Sequence, residues 1–463
     1  MRGNIMNNQK KAAAAATNAI TEGIIWRQLL IFFFPIVLGT FFQQLYNTAD
    51  AMIVGRFVGK EALAAVGGSS NQIINLIIGF FVGVSSGATV IIAQHYGSRK
   101  ETELSHALHT AIAFSTVSSI FLMGAGYFLA PALLSMMNTP ESMMADSVTY
   151  LRIFFLGILF TFIYNIGSSI LRSVGDSKRP LYYLIVCCFF NIGLDLLFVL
   201  VFHMGIAGAA IATVLSQAVS AILVLLALIR TSDIYKLHLR KVRFFEGSLS
   251  SILRIGIPAG LQAAMYSLSN IIIQTALNAL GTDTVAAWTS FGKMDAFCWM
   301  VISAFGISAT TFVGQNYGAG KYDRVRKSVR VCLGMTLASS IAMSIFLMTA
   351  GKYLFHLFTS DPEVIRIGIQ ILNYMAPAYA LFVFIEIYSG ALRGIGDVII
   401  PTIMTCCGVC VFRTLWVFLL VPKSPTIETI TLSYPISWGI TAVLFIIYYY
   451  KKQKKLGMEN FDQ

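Results

Sequence analysis

The sequence predicts an all-α polytopic membrane protein with twelve transmembrane helices in two six-helix lobes. Three observations predict this fold class. The chain of 463 residues is 57% hydrophobic and only 12% charged, about half the charged fraction of a soluble domain. Twelve apolar stretches are long enough to cross a bilayer as helices. Motifs of the first half return in the second half at a nearly constant offset, which indicates an internal duplication.

The twelve predicted spans divide evenly between the two halves. In the first half they are residues 28–52, 62–92, 104–130, 148–171, 180–202 and 206–230. In the second half they are residues 250–280, 285–313, 328–350, 367–391, 399–421 and 429–450. The first span is long and others follow it, so we interpret it as a retained helix and not as a cleaved signal peptide.

The positions of Lys and Arg predict the orientation. We call the membrane face at the N-terminus side A and the opposite face side B. The side A segments hold 25 Lys and Arg residues, among them Arg172 and Arg393, and the side B segments hold 6. Lys293 and Arg413 fall within spans. By the positive-inside rule, side A is the cytoplasm and both termini are cytoplasmic. The net charge of +12 is then a topology signal and does not indicate a nucleic-acid partner.

Repeated motifs predict how the lobes are related. SILRSVGDSKRP at 169–180 returns as GALRGIGDVIIP at 390–401, and AQHYGSRK at 93–100 returns as GQNYGAGK at 314–321, both at an offset of 221. Each copy has an even number of helices, so both copies have one orientation, and their pseudo-twofold axis runs along the membrane normal. The predicted domains are an N-lobe at 1–232, a cytoplasmic linker at 233–248 and a C-lobe at 249–463. A cavity between two such lobes is typical of a transporter.

A polar stripe on the first span predicts that this helix lines a cavity. A charge at the bilayer centre costs about 3 kcal/mol, and Asp50 has polar neighbours on its own helical face. These neighbours are Gln43, Tyr46 and Asn47. An Asp that reaches water at the membrane interface is the alternative interpretation.

Four more polar residues of the N-lobe predict a cation site together with Asp50. Asn191 and Asp195 lie one turn apart on the fifth span, Asn165 lies on the fourth, and Thr213 lies on the sixth. Carboxylate, amide and hydroxyl oxygens suit a small hard cation such as a transported Na⁺. The same carboxylates suit protons, because burial and mutual repulsion favour the neutral form of one of them. Separate structural hydrogen-bonding groups are the alternative explanation.

The C-lobe does not repeat this site. The residues equivalent to Asn191 and Asp195 are Phe412 and Trp416, and Glu386 is equivalent to Asn165. A structural Glu386–Arg413 ion pair and a functional site stay open as alternatives. The predicted substrate cavity comprises Gln43, Tyr46, Asn47, Asn270, Gln274, Asp295, Glu386 and Arg413. No phosphate loop, His-Glu-x-x-His motif or Ser-His-Asp set occurs in a credible context, so we predict neither an enzyme nor a resident cofactor.

These motifs together resemble the bacterial multidrug and toxic compound extrusion (MATE) transporters. The resemblance rests on Leu45-Tyr46-Asn47 with Asp50, on Gln94 with Tyr96-Gly97 and its repeat, and on both Leu-Arg-x-x-Gly-Asp segments. It implies a monomeric antiporter in the inner or plasma membrane. The exported compounds would be small amphipathic drugs or toxins, mostly organic cations, which exchange for Na⁺ or H⁺ as the two lobes rock.

The resemblance also implies site residues. One branch of the family places its N-lobe cation site at residue types that occur here as Asp50, Asn165, Asn191 and Asp195. Gln43, Tyr46 and Thr213 match further polar positions of that lobe. Another branch couples through acids on the seventh and tenth helices, of which this chain has only Glu386.

Two other functions stay open from the sequence. A flippase for a lipid-linked precursor needs several basic residues that face the cavity, and the spans supply only Lys293 and Arg413. We therefore favour export of cationic compounds over lipid flipping. A channel or a sensor without transport activity is the third alternative, and measured exchange stoichiometry would distinguish it.

Overall fold

The structure is a computed structural model that describes residues 19–457. The predicted side A residues Arg2, Lys10 and Lys11 lie outside the described residues. Helices make up nearly the whole described chain, and no strand occurs in it. The predicted all-α class is therefore confirmed.

Twelve long helices, α1 to α12, follow one another along the described chain. In the N-lobe they are α1 Ile25–Ile53, α2 Ser69–Gly97, α3 Glu101–Met136, α4 Glu141–Ser173, α5 Lys178–Asp195 and α6 Gly205–Arg230. In the C-lobe they are α7 Ser248–Asn278, α8 Thr282–Gly318, α9 Tyr322–His356, α10 Pro362–Gly394, α11 Ile399–Leu420 and α12 Ile427–Lys455. Wide π-helical turns extend α1 through Val58 and α5 through Val201, and one lies inside α11 at Cys406–Val411.

The helices are longer than the predicted spans. Eleven of them in the described chain are long and apolar enough to cross a membrane. The remaining one, α7, is 31 residues long but is interrupted by Ser, Gln and Asn side chains. The predicted span at 62–92 lies within one apolar segment, Glu61–Gly97, in which Gly68 interrupts the helix between a short helix, Lys60–Gly67, and α2.

Equivalent helices of the two lobes end at equivalent residues. α2 ends at Gly97 and α8 at Gly318, while α4 ends at Ser173 and α10 at Gly394. Each pair differs by the offset of 221 that the sequence motifs show. The described helices thus follow the internal repeat, whereas the predicted domain boundaries at 232 and 249 stay a prediction.

The lobes meet through small residues on α2 and α7. A side chain on Gly83 would begin 2.5 Å from the Cα atom of Gly260, so only glycine allows this approach. Gly87 and Gly256 pack against each other in the same way. These two glycine pairs let the helices cross closely. Stacked rings of Phe33 on α1 and Phe305 on α8, with centroids 4.0 Å apart, add a second contact between the lobes.

Two equivalent hydrogen bonds join the lobes at side A. The Gln94 Nε2 group donates to the Gly394 carbonyl oxygen over 2.8 Å. The Gln315 Nε2 group donates to the Ser173 carbonyl oxygen over 2.6 Å. Both donors and both acceptors are related by the offset of 221. The lobes are therefore closed against each other at side A, on the pseudo-twofold axis.

The segment between the lobes, residues 231–247, packs under the N-lobe. The Phe245 amide donates to Thr110 Oγ1 over 3.1 Å, and the His238 amide donates to His109 Nε2 over 3.0 Å. Leu237 is buried. These contacts tie the segment to α3 at side A.

Candidate functional site: a cation site and two cavities between the lobes

Asp50 on α1 and the pair Asn191 and Asp195 on α5 belong to two helices of the N-lobe that pack against each other. All three side chains are buried. The Asp50 and Asp195 carboxyl groups lie within electrostatic range of each other. One turn of α5 separates Asn191 from Asp195, so both reach the interface from the same helical face.

Five polar atoms of these side chains are buried without a hydrogen-bond partner among residues 19–457. They are Asp50 Oδ1, both carboxylate oxygens of Asp195, and both amide atoms of Asn191. A buried polar group without a partner costs about 1–3 kcal/mol, so this cluster needs a ligand or a proton. No group of three or more His, Cys, Asp or Glu that could hold a metal ion occurs within residues 19–457. A cation held by two carboxylates would take its other ligands from amide and hydroxyl oxygens.

Aromatic and amide side chains surround this cluster. Tyr150 lies within electrostatic range of Asp50, Asp195 and Tyr46. The Gln217 Nε2 group donates to Tyr46 Oη over 3.3 Å. Sequence reasoning missed Tyr150 and Gln217, because neither belongs to a motif and only the packing of α4 and α6 brings them here.

Asn165 and Thr213 are the other two predicted members of the cation site. The Asn165 Nδ2 group donates to the Thr161 carbonyl oxygen of its own helix over 2.8 Å. Thr213 is half-buried on α6. In the described chain neither shows a contact with Asp50 or Asp195, and their role as cation ligands stays a prediction.

A cavity of about 670 Å³ lies between α1 and the C-lobe. Five of the eight predicted cavity residues line it: Asn270, Gln274, Asp295, Glu386 and Arg413. Gln43, Tyr46 and Asn47 do not, and Gln44 lines it in their place. The role of Gln43, Tyr46 and Asn47 in substrate binding stays a prediction.

The acids and the arginine of this cavity have different partners. Asp295 accepts hydrogen bonds from Trp299 Nε1 over 2.9 Å and from Tyr379 Oη. The Arg413 guanidinium lies 3.8 Å from the centre of the Tyr434 ring. Its Nε group donates to Ser437 Oγ over 3.2 Å.

The structure does not contain the Glu386–Arg413 ion pair that the sequence left open. Arg413 has a buried Nη2 group without a hydrogen-bond partner. Glu386 lies instead within electrostatic range of Arg393 on its own helix. Glu386 and Arg413 line the same cavity without forming an ion pair.

A second cavity, of about 360 Å³, is lined by Arg172 and Arg393. The sequence argument counted both arginines as side A residues and left only Lys293 and Arg413 to face the interior. The expectation that only Lys293 and Arg413 face the interior is wrong, since Arg172 and Arg393 also line a cavity between the lobes. Their shared place in the two Leu-Arg-x-x-Gly-Asp repeats was the signal that could have identified them.

Comparisons with known proteins agree with this architecture. The family model MatE matches residues 35–197 and 258–419, one match in each lobe. "Probable multidrug resistance protein YpnP" of Bacillus subtilis is 32% identical over 81% of this chain and 84% of its own length. "Probable multidrug resistance protein YoeA" of the same organism is 29% identical over 95% of this chain and 96% of its own length.

A solved structure shows the same fold. It is an outward-facing multidrug resistance MATE transporter of the MOP superfamily, with a TM-score of 0.88 and 21% identity over 95% of this chain and 98% of that chain. One assignment agrees with the twelve helices, the internal repeat and the family match in both lobes. The chain belongs to the MATE (MatE) family of multidrug efflux transporters.

Proposed function

We propose that this chain is an antiporter that exports small amphipathic compounds, mostly organic cations, in exchange for Na⁺ or H⁺. The observation that supports it is the set of five buried polar atoms without partners on Asp50, Asn191 and Asp195. Two carboxylates that have no basic partner in the described part of the chain favour the arrival of a cation or a proton. Side A is the cytoplasmic face, and rocking of the lobes opens the cavity alternately to either side.

The larger cavity suits organic cations. Trp288, Trp299, Phe382 and Tyr434 line it together with Asp295. Aromatic faces attract cations by about 0.5–2 kcal/mol for each contact. A carboxylate adds fixed negative charge, so a flat lipophilic cation has favourable contacts on several sides. The relatives named as multidrug resistance proteins support this substrate class.

The test is export of ethidium from vesicles that contain the purified protein. An inward Na⁺ gradient and an inward proton gradient are applied separately. We expect one gradient to drive export, and collapse of that gradient by an ionophore to stop it. Equal export with no gradient would contradict the antiport mechanism. Tetraphenylphosphonium should compete with ethidium, because both are lipophilic monocations.

A flippase for an anionic lipid-linked precursor is the second candidate. One observation favours it: Arg172, Arg393 and Arg413 all line cavities between the lobes. Movement of a fluorescent, undecaprenyl-like phosphate lipid between leaflets, at a rate independent of ion gradients, would favour this function over the antiporter.

A further inference from the structure

The smaller cavity lies on the pseudo-twofold axis, and equivalent residues of both lobes form it. Arg172 and Arg393 line it, as do Thr89 and Thr310. The members of each pair differ by 221 in the sequence. Each lobe thus contributes one arginine and one threonine to a shared space.

The two arginines reach this cavity because α4 and α10 end in the same way. The Gly175 amide donates to the Arg172 carbonyl oxygen over 3.0 Å, and the Gly396 amide donates to the Arg393 carbonyl oxygen over 2.8 Å. Gly175 and Gly396 have φ angles of 96° and 88°, which terminate a helix and favour glycine. A basic residue in the last turn also complements the helix dipole. The interaction with the helix dipole does not by itself explain why both arginine side chains face the cavity between the lobes.

The cavity is positively charged. Among the residues that the structure describes, its lining includes both arginines and no carboxylate. Within residues 19–457, neither guanidinium donates a hydrogen bond or forms an ion pair at the distances that define one. Glu386 lies within electrostatic range of Arg393 and offsets part of the charge, which leaves Arg172 without an opposite charge. Both arginines are half-buried. A charge without an opposite partner in a partly enclosed space is unfavourable, so an anion would stabilise this arrangement.

We propose that Arg172 and Arg393 together bind one phosphate group carried by an amphipathic compound. A guanidinium presents paired N–H groups that match phosphate oxygens, and the threonine hydroxyls add hydrogen-bonding capacity. Tyr266 and Ile307 line both cavities, so the apolar part of the compound extends from the smaller cavity into the larger one. This inference rests on the proposed function in one respect, because it adds phosphate amphiphiles to the compounds that the same transporter accepts.

The test measures equilibrium binding of dodecyl phosphate to the full-length protein in phosphatidylcholine nanodiscs. The variants are Arg172→Gln, Arg393→Gln and the double substitution. The matched control is Arg366→Gln, which removes an exposed arginine whose partner is Glu363, 2.6 Å away. We expect the wild type and the control to bind one molecule with equal affinity. Each site variant should bind at least tenfold more weakly, because it loses a charge-assisted contact. The double variant should show no binding.

Absence of binding to the wild type would overturn the proposal, as would equal weakening in the control. If a Gln variant does not fold, Arg172→Lys and Arg393→Lys take its place. They keep the charge without the paired donors and should weaken binding by a smaller factor. Unchanged affinity in both Lys variants and in any folded Gln variant would overturn the proposal.

Two competitors distinguish the sources of the phosphate. Displacement of dodecyl phosphate by dioctanoyl phosphatidic acid supports an amphipathic phosphate ligand. Displacement by inorganic phosphate alone assigns the site to free phosphate and overturns the amphipathic part of the proposal. Displacement by neither contradicts a phosphate site. The experiment uses no ion gradient, so a failure of cation-coupled export does not affect it, and absent phosphate binding leaves the ethidium result unchanged.

Discussion

Helices α5 and α11 hold equivalent places in the two lobes but present opposite chemistry. α5 carries Asn191 and Asp195, which are buried, whereas α11 carries Phe412 and Trp416 at the equivalent positions. The π-helical turn follows Asp195 in α5 and precedes Phe412 in α11, and such turns shift the helical face. The comparison teaches that duplication kept the helix framework while the interiors diverged. By contrast, the hydrogen bonds at side A stayed equivalent in both lobes.

The largest expected effect is a loss of export from substitutions in the N-lobe interior that the C-lobe interior does not share. Asp50→Asn and Asp195→Asn should each abolish cation-coupled export, because the amide keeps the size of the carboxylate but removes the charge that attracts a cation. Glu386→Gln should retain most of the export, because Glu386 lies in the C-lobe, away from the cluster of unpartnered atoms. Ethidium export from vesicles under each gradient measures this difference.

The matched control is Asp283→Asn, which changes an exposed carboxylate at the start of α8. Its export should equal that of the wild type. If a well-folded Glu386→Gln variant loses coupling while Asp195→Asn keeps it, the cation site lies in the other lobe and the comparison is reversed.

A smaller loss of export should follow from equivalent glycine substitutions in the two lobes, and it should be equal in both. An added Cβ atom at Gly97 would collide with the Gln315 carbonyl oxygen, and one at Gly318 would collide with the Gln94 carbonyl oxygen. Gly97→Ala and Gly318→Ala should therefore both disturb closure at side A. Each should reduce the export rate by about tenfold, which corresponds to about 1.4 kcal/mol in activation free energy. Gly124→Ala is the control, since a Cβ atom there meets nothing within 4 Å.

Measured distances between spin labels on the two lobes at side A would check these glycine variants. Both should show a longer distance than the wild type, and Gly124→Ala should not. An effect in only one of the pair would show that closure at side A is asymmetric in spite of the equivalent sequences.

The smallest effect concerns the side A hydrogen bonds. Gln94→Ala and Gln315→Ala each remove one bond between the lobes, for a net loss of about 1 kcal/mol. We expect each to increase the population that is open at side A by about fivefold. Gln72→Ala, an exposed position on the same helix as Gln94, should leave the population unchanged. The same spin-label measurement reports all three, and a decrease in the open population would contradict the role of these bonds.

Local patterns in the sequence determined the framework of this protein. Apolar length predicts the spans because the bilayer has a fixed thickness, and the repeat predicts two similar lobes. Asp50 and Asp195 stand out because carboxylates in apolar segments are costly. The family assignment follows from the same motifs, since MatE matches both lobes.

Only the tertiary structure decided which side chains share a space. Arg172 and Arg393 belong by sequence to the ends of helices, yet they line one cavity, because the direction of a side chain at a helix end depends on how the lobes pack. Tyr150 approaches Asp50 and Asp195 from another helix, and Arg413 lies over Tyr434 without forming an ion pair with Glu386. These are contacts between residues distant in the chain, and helical periodicity relates only residues a few positions apart. The sequence therefore identifies the charged residues, and lobe packing assigns their partners.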